Sequence, residues 1–590
     1  MSHTPTIEQG AITPMAASTI QGTSTGTVTP TTRPGSAKSS ISNEKGGTIV
    51  ETAPVRATLP DQLGSELSRK IRHKYASSYR KIFGVIFTIN LAVFIGFLIK
   101  DRGNPSSREV GSAASANLLV CILFRQEEFV NLVYEIFVLA PHSWPLSIRK
   151  RLAKVFHYGG CHSGAGTAAV VWYILYTILA TKEYIEDKQV DTLINIITSY
   201  VVVTMFAVIL TAAHPDLRRK YHDHFEAFHR FAGWTALLAF WTHNFAAANV
   251  LARQWDTSIG IALINSPNFW FIILTTTCTI ASWSRLRHPT VYPEKMSDHA
   301  TRLHFKYRAM QPFYGVKISD KPLTEWHAFA TIPDVDPESG EINGFSVVVS
   351  NAGDWTKKQI MKPNERKLWV RGAPLHGLLY TSRLFKSIVV VATGSGIGPC
   401  LSLLFANVTP RRVLWSTRDP EKTYGSKVVG EVLKADPQAI IWNTNEKGYP
   451  DIVGETFQLV HESNAEAVFI ISNPKVTEKV VFGMQTRGIP AYAPKPYSLQ
   501  LAERIHNTTG KEYLTRICGG GFLLESFWYT VVERRILKTP TPAVKKALFR
   551  AAATWPIIYV VTTAGVSWAA WRVNQAEHIN NDKERDQRQH

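Results

Sequence analysis

Cysteine is scarce in this sequence, with five residues in 590, at positions 121, 161, 278, 400 and 518. They show neither pairing nor metal-binding spacing, so no disulfide framework is expected. Acidic residues are also outnumbered, with 46 Asp and Glu against 65 Lys and Arg and a net charge of +19. Residues 1–65 contain no apolar core of a signal peptide and are rich in Thr, Ser, Pro and Gly, which predicts a disordered cytosolic tail.

Long apolar stretches are abundant in the N-terminal half. Each approaches the roughly 20 residues that a helix needs to cross a bilayer, although the third and sixth are short. Buried soluble helices are the alternative. The stretches cover residues 82–99, 118–140, 165–180, 192–213, 231–250 and 269–283.

Basic residues alternate with neutral or acidic ones along the connections between these stretches. Lys and Arg cluster at 69–81, 149–154, 218–220 and 285–287. This positive-inside pattern predicts a six-span membrane domain over 66–287, with the N-terminus and everything after residue 283 in the cytosol. The first span would serve as the membrane signal. Topology and an anionic inner leaflet explain most of the net charge, so no nucleic-acid partner is expected.

Histidines in two of the predicted spans suggest a haem site. His229 and His243 are fourteen residues apart and share one face of the fifth span. His162, at the start of the third span, could pair with His229 around one inner-leaflet haem b. Fourteen residues beyond it stands Tyr176, an unusual axial ligand, so a second haem is not expected. The alternative is that these histidines are interfacial or hydrogen-bonded residues without a metal.

After residue 287 the sequence becomes polar and β-branched, as in a soluble domain. The segment 326–360 alternates apolar and polar residues like antiparallel strands. A β-branched run then leads into Gly394, Gly396 and Gly398 and an apolar helix. Such a turn can cradle a pyrophosphate at a helix N-terminus, but G-x-G-x-G-P is not the Rossmann spacing and could be an ordinary glycine turn.

Four segments in order resemble the ferric reductase and NADPH oxidase superfamily. They are His-Ala-Phe-Ala at 327–330, Gly-Asp-Trp-Thr at 353–356, the segment 372–377 in the place of G-P-x-G, and the glycine cradle. Other segments, such as FHYGGCHSGAG and WSTRDPEKTYG, resemble the fungal transmembrane flavoproteins of TmpA type, a family linked to development and redox balance.

The resemblance implies a multi-domain fold: the helical membrane domain, a ferredoxin-reductase-like β-barrel for FAD over 288–385, and an α/β NAD(P)-binding domain over 386–497. It implies that His327 approaches the flavin phosphates and that Phe329 lies against the flavin ring. Asp354, Trp355 and Thr356 belong to the motif that helps to close the flavin site.

The resemblance also implies that Gly394, Gly396 and Gly398 admit the nicotinamide pyrophosphate. Ser416, Arg418 and Lys422 follow the next strand and offer hydroxyl and positive groups to a 2′-phosphate, which favours NADPH over NADH. A solvated basic loop is the alternative.

Two departures from the superfamily weaken the expectation of fast hydride transfer. Ala330 replaces a Thr or Ser whose hydroxyl faces flavin N5, unless Thr331 compensates, and Asn473 stands in the segment that commonly carries a cysteine. The expected function is therefore a membrane-bound NAD(P)H:acceptor oxidoreductase, in the plasma membrane, with an unidentified acceptor. The alternative is a redox-sensing regulatory flavoprotein with little turnover.

The last part of the sequence, 498–590, matches no motif of the family. Its apolar stretch 551–571 is long enough for a seventh span. A helix on the membrane surface is the alternative.

Overall fold

The structure is a computed structural model, and it describes residues 58–102, 105–187, 192–214, 217–218 and 221–494. Most of the predicted tail and the whole predicted seventh span lie outside the described residues. The first region is helical. Its α-helices are α1 (Glu66–Lys70), α2 (Ser78–Lys100), α3 (Ser107–Leu123), α4 (Glu127–Val138), α5 (Leu146–Leu152), α6 (Gly159–Glu186), α7 (Leu193–Ala212), α8 (His222–Gln254), α9 (Ile259–Ile264) and α10 (Pro267–Ser284).

The long helices α2, α3, α6, α7, α8 and α10 pack in alternating directions. In each neighbouring pair, the first part of one helix contacts the last part of the other. The contacts that show this are Lys100 with Glu109, Ser107 with Glu183, Thr181 with Tyr200, Thr198 with His243, and Trp234 with Trp283. All six helices therefore have one end on the side where the chain enters the β-sheet region.

Some helices of this bundle have the length and apolar composition of a membrane span. Among the described residues, α2, α6 and α7 are long and apolar enough to cross a membrane. These helices contain three of the six predicted spans. The count of six spans stays a prediction.

The predicted second span, 118–140, does not form one helix. α3 ends at Leu123, and α4 begins at Glu127, where the side chain of Gln126 accepts a hydrogen bond from the Phe129 amide. Tyr134 of α4 is buried against the β-sheet region. Val130 and Tyr134 of this half therefore serve protein packing, and the helix of the bundle is α3, which starts eleven residues earlier than the predicted span.

An antiparallel β-barrel follows the bundle. Its strands form two sheets, in the orders β5-β6-β2-β1-β7 and β4-β3-β8. The strands are β1 (Thr290–Lys295), β2 (Ala300–Phe305), β3 (Tyr314–Ser319), β4 (His327–Ala330), β5 (Ile332–Val335), β6 (Ile342–Ser350), β7 (Arg366–Lys367) and β8 (Trp369–His376), with helix α11 (Asp354–Ile360) after β6. Phe305, Ile318 and Phe345 lie fully buried between the sheets.

A parallel α/β domain completes the described chain. Its sheet has the order β11-β10-β9-β12-β13. The elements are β9 (Ile388–Thr393), α12 (Ile397–Ala406), β10 (Arg411–Thr417), α13 (Pro420–Ala435), β11 (Ile440–Asn443), α14 (Thr444–Lys447), α15 (Ile452–Ser463), β12 (Ala467–Ile471), α16 (Pro474–Gln485) and β13 (Ala491–Tyr492). The central strand β9 is covered by helices on both faces, which explains its unbroken run of apolar, fully buried residues.

The barrel and the α/β domain are joined by charge as well as by packing. Arg302 of β2 is buried and donates to Ser346 of β6 and to Glu431 of α13. Helix α12 packs on β4, β5 and β6. The predicted order of a barrel followed by an α/β domain is therefore present, and the two lie side by side.

Candidate functional site

The candidate site lies where the strand order of the parallel sheet reverses. β9 lies between β10 and β12 in the sheet. After β9 the chain continues to β10 on one side, and after β12 it continues to β13 on the other side. The two connections therefore diverge at the neighbouring carboxyl ends of β9 and β12. Open α/β sheets bind their ligands in the crevice at such a point. The hydroxyls of Thr393 and Ser472, from the ends of these two strands, are hydrogen-bonded to each other there.

The glycine turn occupies one wall of this crevice. After β9 the chain makes a 3₁₀ turn over Gly394–Gly396 and enters α12 at Ile397. Gly394 has a φ of +50°, a conformation that favours glycine. The N-terminus of α12 therefore lies at the carboxyl end of β9, the position that an anion-binding helix requires, and the Ile397 amide already donates to the Gly394 carbonyl.

The other two glycines of the turn have packing roles that the sequence did not reveal. A Cβ on Gly396 would collide with the carbonyl oxygen of Ile471 at the end of β12. A Cβ on Gly398 would lie 3.2 Å from the Cβ of Val348 in the barrel. Small residues are thus needed here for the contact of α12 with the sheet and with the barrel, whatever else they admit.

The residues predicted to meet a 2′-phosphate differ in exposure. Ser416 is buried within β10, whereas Arg418 and Lys422 are exposed beyond its carboxyl end. Arg418 donates a long hydrogen bond of 3.5 Å to the hydroxyl of Tyr449, which raises the pKa of the guanidinium further. Arg418 and Lys422 are therefore available to an anion, and Ser416 is largely covered by protein.

Asp419 is a residue of this region that the sequence reasoning missed. It has a positive φ of 35°, and its two carboxylate oxygens accept hydrogen bonds from Asn443 at 3.2 Å and Asn445 at 2.5 Å. Acidic residues after this strand bind a ribose 2′-hydroxyl in dinucleotide folds. Here the carboxylate already accepts hydrogen bonds from two side-chain amides. Arg418 is therefore the main charged group at this position that can contact a ligand. The place of Asp419 at the end of the β-branched and aromatic segment that forms β10 was the signal available in the sequence.

The residues predicted to bind the flavin lie on β4 and α11 of the barrel. The rings of His327 and Trp355 are stacked with centroids 4.1 Å apart, and Phe329 lies 5.8 Å from the same indole. The Nε2 atom of His327 is buried without a hydrogen bond among the described residues, with the Glu325 carboxylate 3.5 Å away. This nitrogen can donate to a flavin phosphate oxygen, which would compete for it with the Glu325 carboxylate.

Helix α11 is fixed by contacts of its own predicted residues. Trp355 donates from Nε1 to Asp320 at 2.9 Å, and Thr356 donates to the Gly353 carbonyl while accepting from the Ala352 amide. Burial favours a higher pKa for the Asp320 carboxyl, but the hydrogen bonds from Lys358 and Trp355 outweigh it and lower the pKa. Asp354 remains exposed in the first turn.

Thr331 does not replace the hydroxyl that Ala330 lacks. Its side chain is fully buried, and its Oγ1 donates to the carbonyl of Tyr314 at 3.0 Å. Ala330 is half-buried at the end of β4. Consequently neither residue offers a free hydroxyl beside the predicted flavin ring.

His162 and His229 are brought together, as the register of the two predicted spans suggested. Their ring centroids are 6.4 Å apart, with an interplanar angle of 51°. Two imidazoles that bind one metal ion from opposite sides, with bonds of about 2 Å, have centroids roughly 6 Å apart. Nδ1 of His162 donates to the Cys121 carbonyl, which leaves its Nε2 free, and Nδ1 of His229 is buried without a partner among the described residues. The pair fits axial ligation of one iron.

A second pair lies fourteen residues further along the same two helices. Nε2 of His243 is hydrogen-bonded to the Tyr176 hydroxyl at 2.8 Å, and Nδ1 to Thr198 at 3.2 Å. Both nitrogens of His243 therefore have protein partners. This outer position is a hydrogen-bonded cluster and offers no vacant ligand.

Sequence comparison relates the chain to fungal reductases. The family model "Adenylate-forming reductase 03009, C-terminal domain" matches residues 378–496. Adenylate-forming reductase 03009 of Coprinopsis cinerea is 42% identical over 433 residues, 73% of this chain and 41% of the relative. Adenylate-forming reductase 06235 of the same fungus is 41% identical over 437 residues, 74% of this chain and 41% of the relative. The chain thus spans about two fifths of the length of these relatives.

Solved structures show more distant likenesses. A ferredoxin NADP+ reductase from Neisseria gonorrhoeae with bound FAD and NADP has a TM-score of 0.28 and 11% identity, over 36% of this chain and 98% of that one. A flavohemoglobin from Malassezia yamatoensis with bound FAD and heme has a TM-score of 0.32 and 13% identity, over 65% and 98%. At such scores neither likeness carries the fold assignment, which rests on the strand order described above.

Proposed function

We propose that this chain is a membrane-bound flavoprotein that oxidises NADPH on its cytosolic side. FAD would be held at β4 and α11, and the nicotinamide nucleotide in the crevice at the carboxyl ends of β9 and β12. The observation that carries this proposal is the packing of α12, which starts at the crevice, directly on β4 of the barrel. β4, which carries the proposed flavin residues, therefore contacts the helix that starts at the proposed nucleotide crevice, and this supports transfer between the two ligands.

The reductases of Coprinopsis cinerea support the redox class of the proposal. Their matching domain model covers the α/β domain, which contains the crevice. The chain corresponds to 41% of their length, so only the reductase activity in their names is transferred to this chain. The resemblance to ferric reductases, NADPH oxidases and TmpA-type flavoproteins remains part of this proposal.

FAD, when bound, accepts a hydride from the nicotinamide and releases electrons singly. The residues of this chain would bind and orient the flavin and the nucleotide. His327 would donate from Nε2 to a flavin phosphate, and Phe329 would pack against the flavin ring. The amides that begin α12 would hold the nucleotide pyrophosphate.

NADPH is the proposed nucleotide, with NADH as the weaker substrate. Arg418 is exposed beside the expected ribose, and its planar guanidinium suits a phosphate. The Asp419 carboxylate, which would favour a free 2′-hydroxyl, is occupied by Asn443 and Asn445.

The proposed route beyond FAD leads into the inner half of the bundle. His162 and His229 would hold one haem b, and the Tyr176–His243 hydrogen bond occupies the place of an outer one. Electrons would then leave to a quinone, oxygen or a small substrate near the inner leaflet. The plasma membrane is the proposed location, with the barrel and the α/β domain in the cytosol.

A redox-sensing regulatory flavoprotein is the second candidate, and one observation favours it. The Thr331 hydroxyl is committed to the Tyr314 carbonyl, so no hydroxyl assists hydride transfer at flavin N5. Asn473, in the segment that carries the superfamily cysteine, uses its side chain to cap α16. Both features would slow turnover without preventing nucleotide binding.

The experiment is NADPH consumption by the purified full chain with oxygen and a soluble quinone as alternative acceptors. Arg418→Gln should lower the rate at limiting NADPH, because the guanidinium binds the nucleotide. The matched control is Lys434→Gln, which removes an exposed positive charge from the far end of α13. Tight FAD binding without turnover towards either acceptor would favour the sensor. Equal rates for wild type and Arg418→Gln would refute the assigned nucleotide site.

A further inference from the structure

A positively charged cleft lies where the helical bundle meets the barrel, away from the β4 and α12 surfaces of the candidate site. Its volume is about 400 Å³, a size that accommodates a small ligand or headgroup. The residues that line it are Arg285, Arg287, Tyr307, Arg308, Val370 and Gly372.

Two of its three guanidinium groups have no carboxylate partner among the residues that the structure describes. Arg285 is paired with Glu128. Arg287 donates only to the main-chain carbonyls of Ser284 and Leu286, and Arg308 has no hydrogen bond or ion pair within the described ranges. Like charges held together without counter-charges attract an anionic ligand.

The buried carboxylate nearest the cleft is also already compensated. Glu127 accepts hydrogen bonds from Lys317 at 3.0 Å and from Ser282. Gly372 lies over it, since a Cβ there would be 2.7 Å from the Glu127 Oε1 atom. Burial tends to raise the pKa of this carboxyl, but Lys317 and Ser282 outweigh it and lower the pKa. Glu127 therefore leaves the positive charge of Arg287 and Arg308 uncompensated.

The position of the cleft places it at the level of lipid headgroups, provided that the membrane location proposed above holds. Arg285 is the first residue after α10, and Trp283 is the last but one residue of that helix. Tryptophan side chains favour the membrane interface. Glu128, the partner of Arg285, belongs to α4. That helix exposes an apolar stripe of Leu132, Ile136 and Leu139 at helical spacing, beside the cleft.

We propose that this cleft binds the phosphate-bearing headgroup of an anionic phospholipid of the inner leaflet. Arg287 and Arg308 would each donate two hydrogen bonds to phosphate oxygens, and the Tyr307 hydroxyl would contact a headgroup hydroxyl. Basic pockets at the cytosolic ends of membrane helices bind such headgroups. The ligand would join the bundle and the barrel, because the lining residues come from both.

The test uses the purified full chain in detergent and a short-chain phosphatidylinositol 4-phosphate, with binding followed by native mass spectrometry. Arg287→Gln/Arg308→Gln should weaken binding about tenfold or more. The matched control is Lys434→Gln/Lys479→Gln, which removes two exposed charges from the α/β domain and should change binding by less than about twofold. The soluble glycerophosphoinositol 4-phosphate, which lacks acyl chains, should bind more weakly than the lipid.

Three outcomes would overturn the proposal: no lipid binding by the wild type, an equal loss in both double variants, or equally tight binding of the soluble headgroup, which would identify a soluble anion as the ligand. Flavin absorbance recorded on the same samples separates this test from that of the proposed function. A flavin-containing, NADPH-reducible sample that binds no lipid refutes the cleft assignment alone. A sample that binds lipid but contains no flavin refutes the reductase proposal alone.

Discussion

Replacing Arg149 with Met should strongly destabilise the junction between the helical region and the α/β domain. The guanidinium is 3% exposed and donates to both oxygens of Glu466 at 2.7 and 2.8 Å. It also donates to the carbonyls of Leu384 and Trp144. Met retains most of the aliphatic packing but leaves Glu466 and two carbonyls without this donor. Removing one partner of a buried ion pair lowers the free energy of unfolding by about 3–5 kcal/mol.

A double-mutant cycle measures how much of this loss belongs to the pair itself. Arg149→Met, Glu466→Gln and the double variant should be compared by thermal unfolding in detergent. A loss of about 3–5 kcal/mol lowers the midpoint by roughly 6–20 °C for a unit of 150–250 residues. The double variant should be less destabilised than the sum of the singles by about 1–3 kcal/mol, because the two side chains share their hydrogen bonds.

Lys150→Met is the matched control, since it removes the neighbouring positive charge from an exposed position on α5. It should leave the midpoint nearly unchanged. The reasoning would be refuted if Arg149→Met shifted the midpoint no more than Lys150→Met, or if the two single effects simply added.

Three further predictions follow from individual contacts. Arg149, with a smaller contribution from the Lys386 amide, holds the pKa of Glu466 below its usual 4.5, so the stability from these contacts is present above that pH and is lost as the pH falls through the lower folded value; this acid sensitivity should decrease in Arg149→Met, as measured by unfolding midpoints between about pH 5 and 3. Gly372→Ala should lower the free energy of unfolding by about 1–3 kcal/mol, because φ is +76° and the new Cβ would press on Glu127. An unchanged midpoint of thermal unfolding would contradict this prediction. Arg418→Gln should lower kcat/KM about tenfold for NADPH and less than about twofold for NADH; equal losses would assign the residue a merely structural role.

The local sequence predicted the cradle but not the full reason for its glycines. A buried apolar run followed by three glycines and a helix is a local signal, and β9 and α12 occupy that stretch. The partners that require small residues at 396 and 398 are Ile471 and Val348. Both are distant in sequence, so only the fold reveals these contacts.

Hydropathy alone did not predict the structure of the second predicted span correctly. An apolar helix that packs on a barrel and one that crosses a membrane have similar composition. The charges at Arg125, Glu127 and Glu128, in the middle of that stretch, were the available sign of a turn. Lys317, the partner of the buried Glu127, is 190 residues away and could not be identified from the sequence.

The histidine pairs show what register alone can predict. His162 and His229 stand about equally far ahead of the apolar cores of their predicted spans, and the structure brings these rings together. Fourteen residues further along each helix stand Tyr176 and His243, which are hydrogen-bonded. The contribution of Thr198 from a third helix could not be predicted, because it depends on how α7 packs on α8.

The most direct test of the account is the absorption spectrum of the purified full chain under anaerobic conditions, before and after addition of NADPH. The account predicts a flavin band that NADPH bleaches, together with a Soret band that is lost in His229→Ala. A Soret band that survives in His229→Ala would contradict the proposed iron ligand. A spectrum without flavin, in a folded sample, would contradict the central claim that the barrel and the α/β domain hold FAD and NADPH side by side.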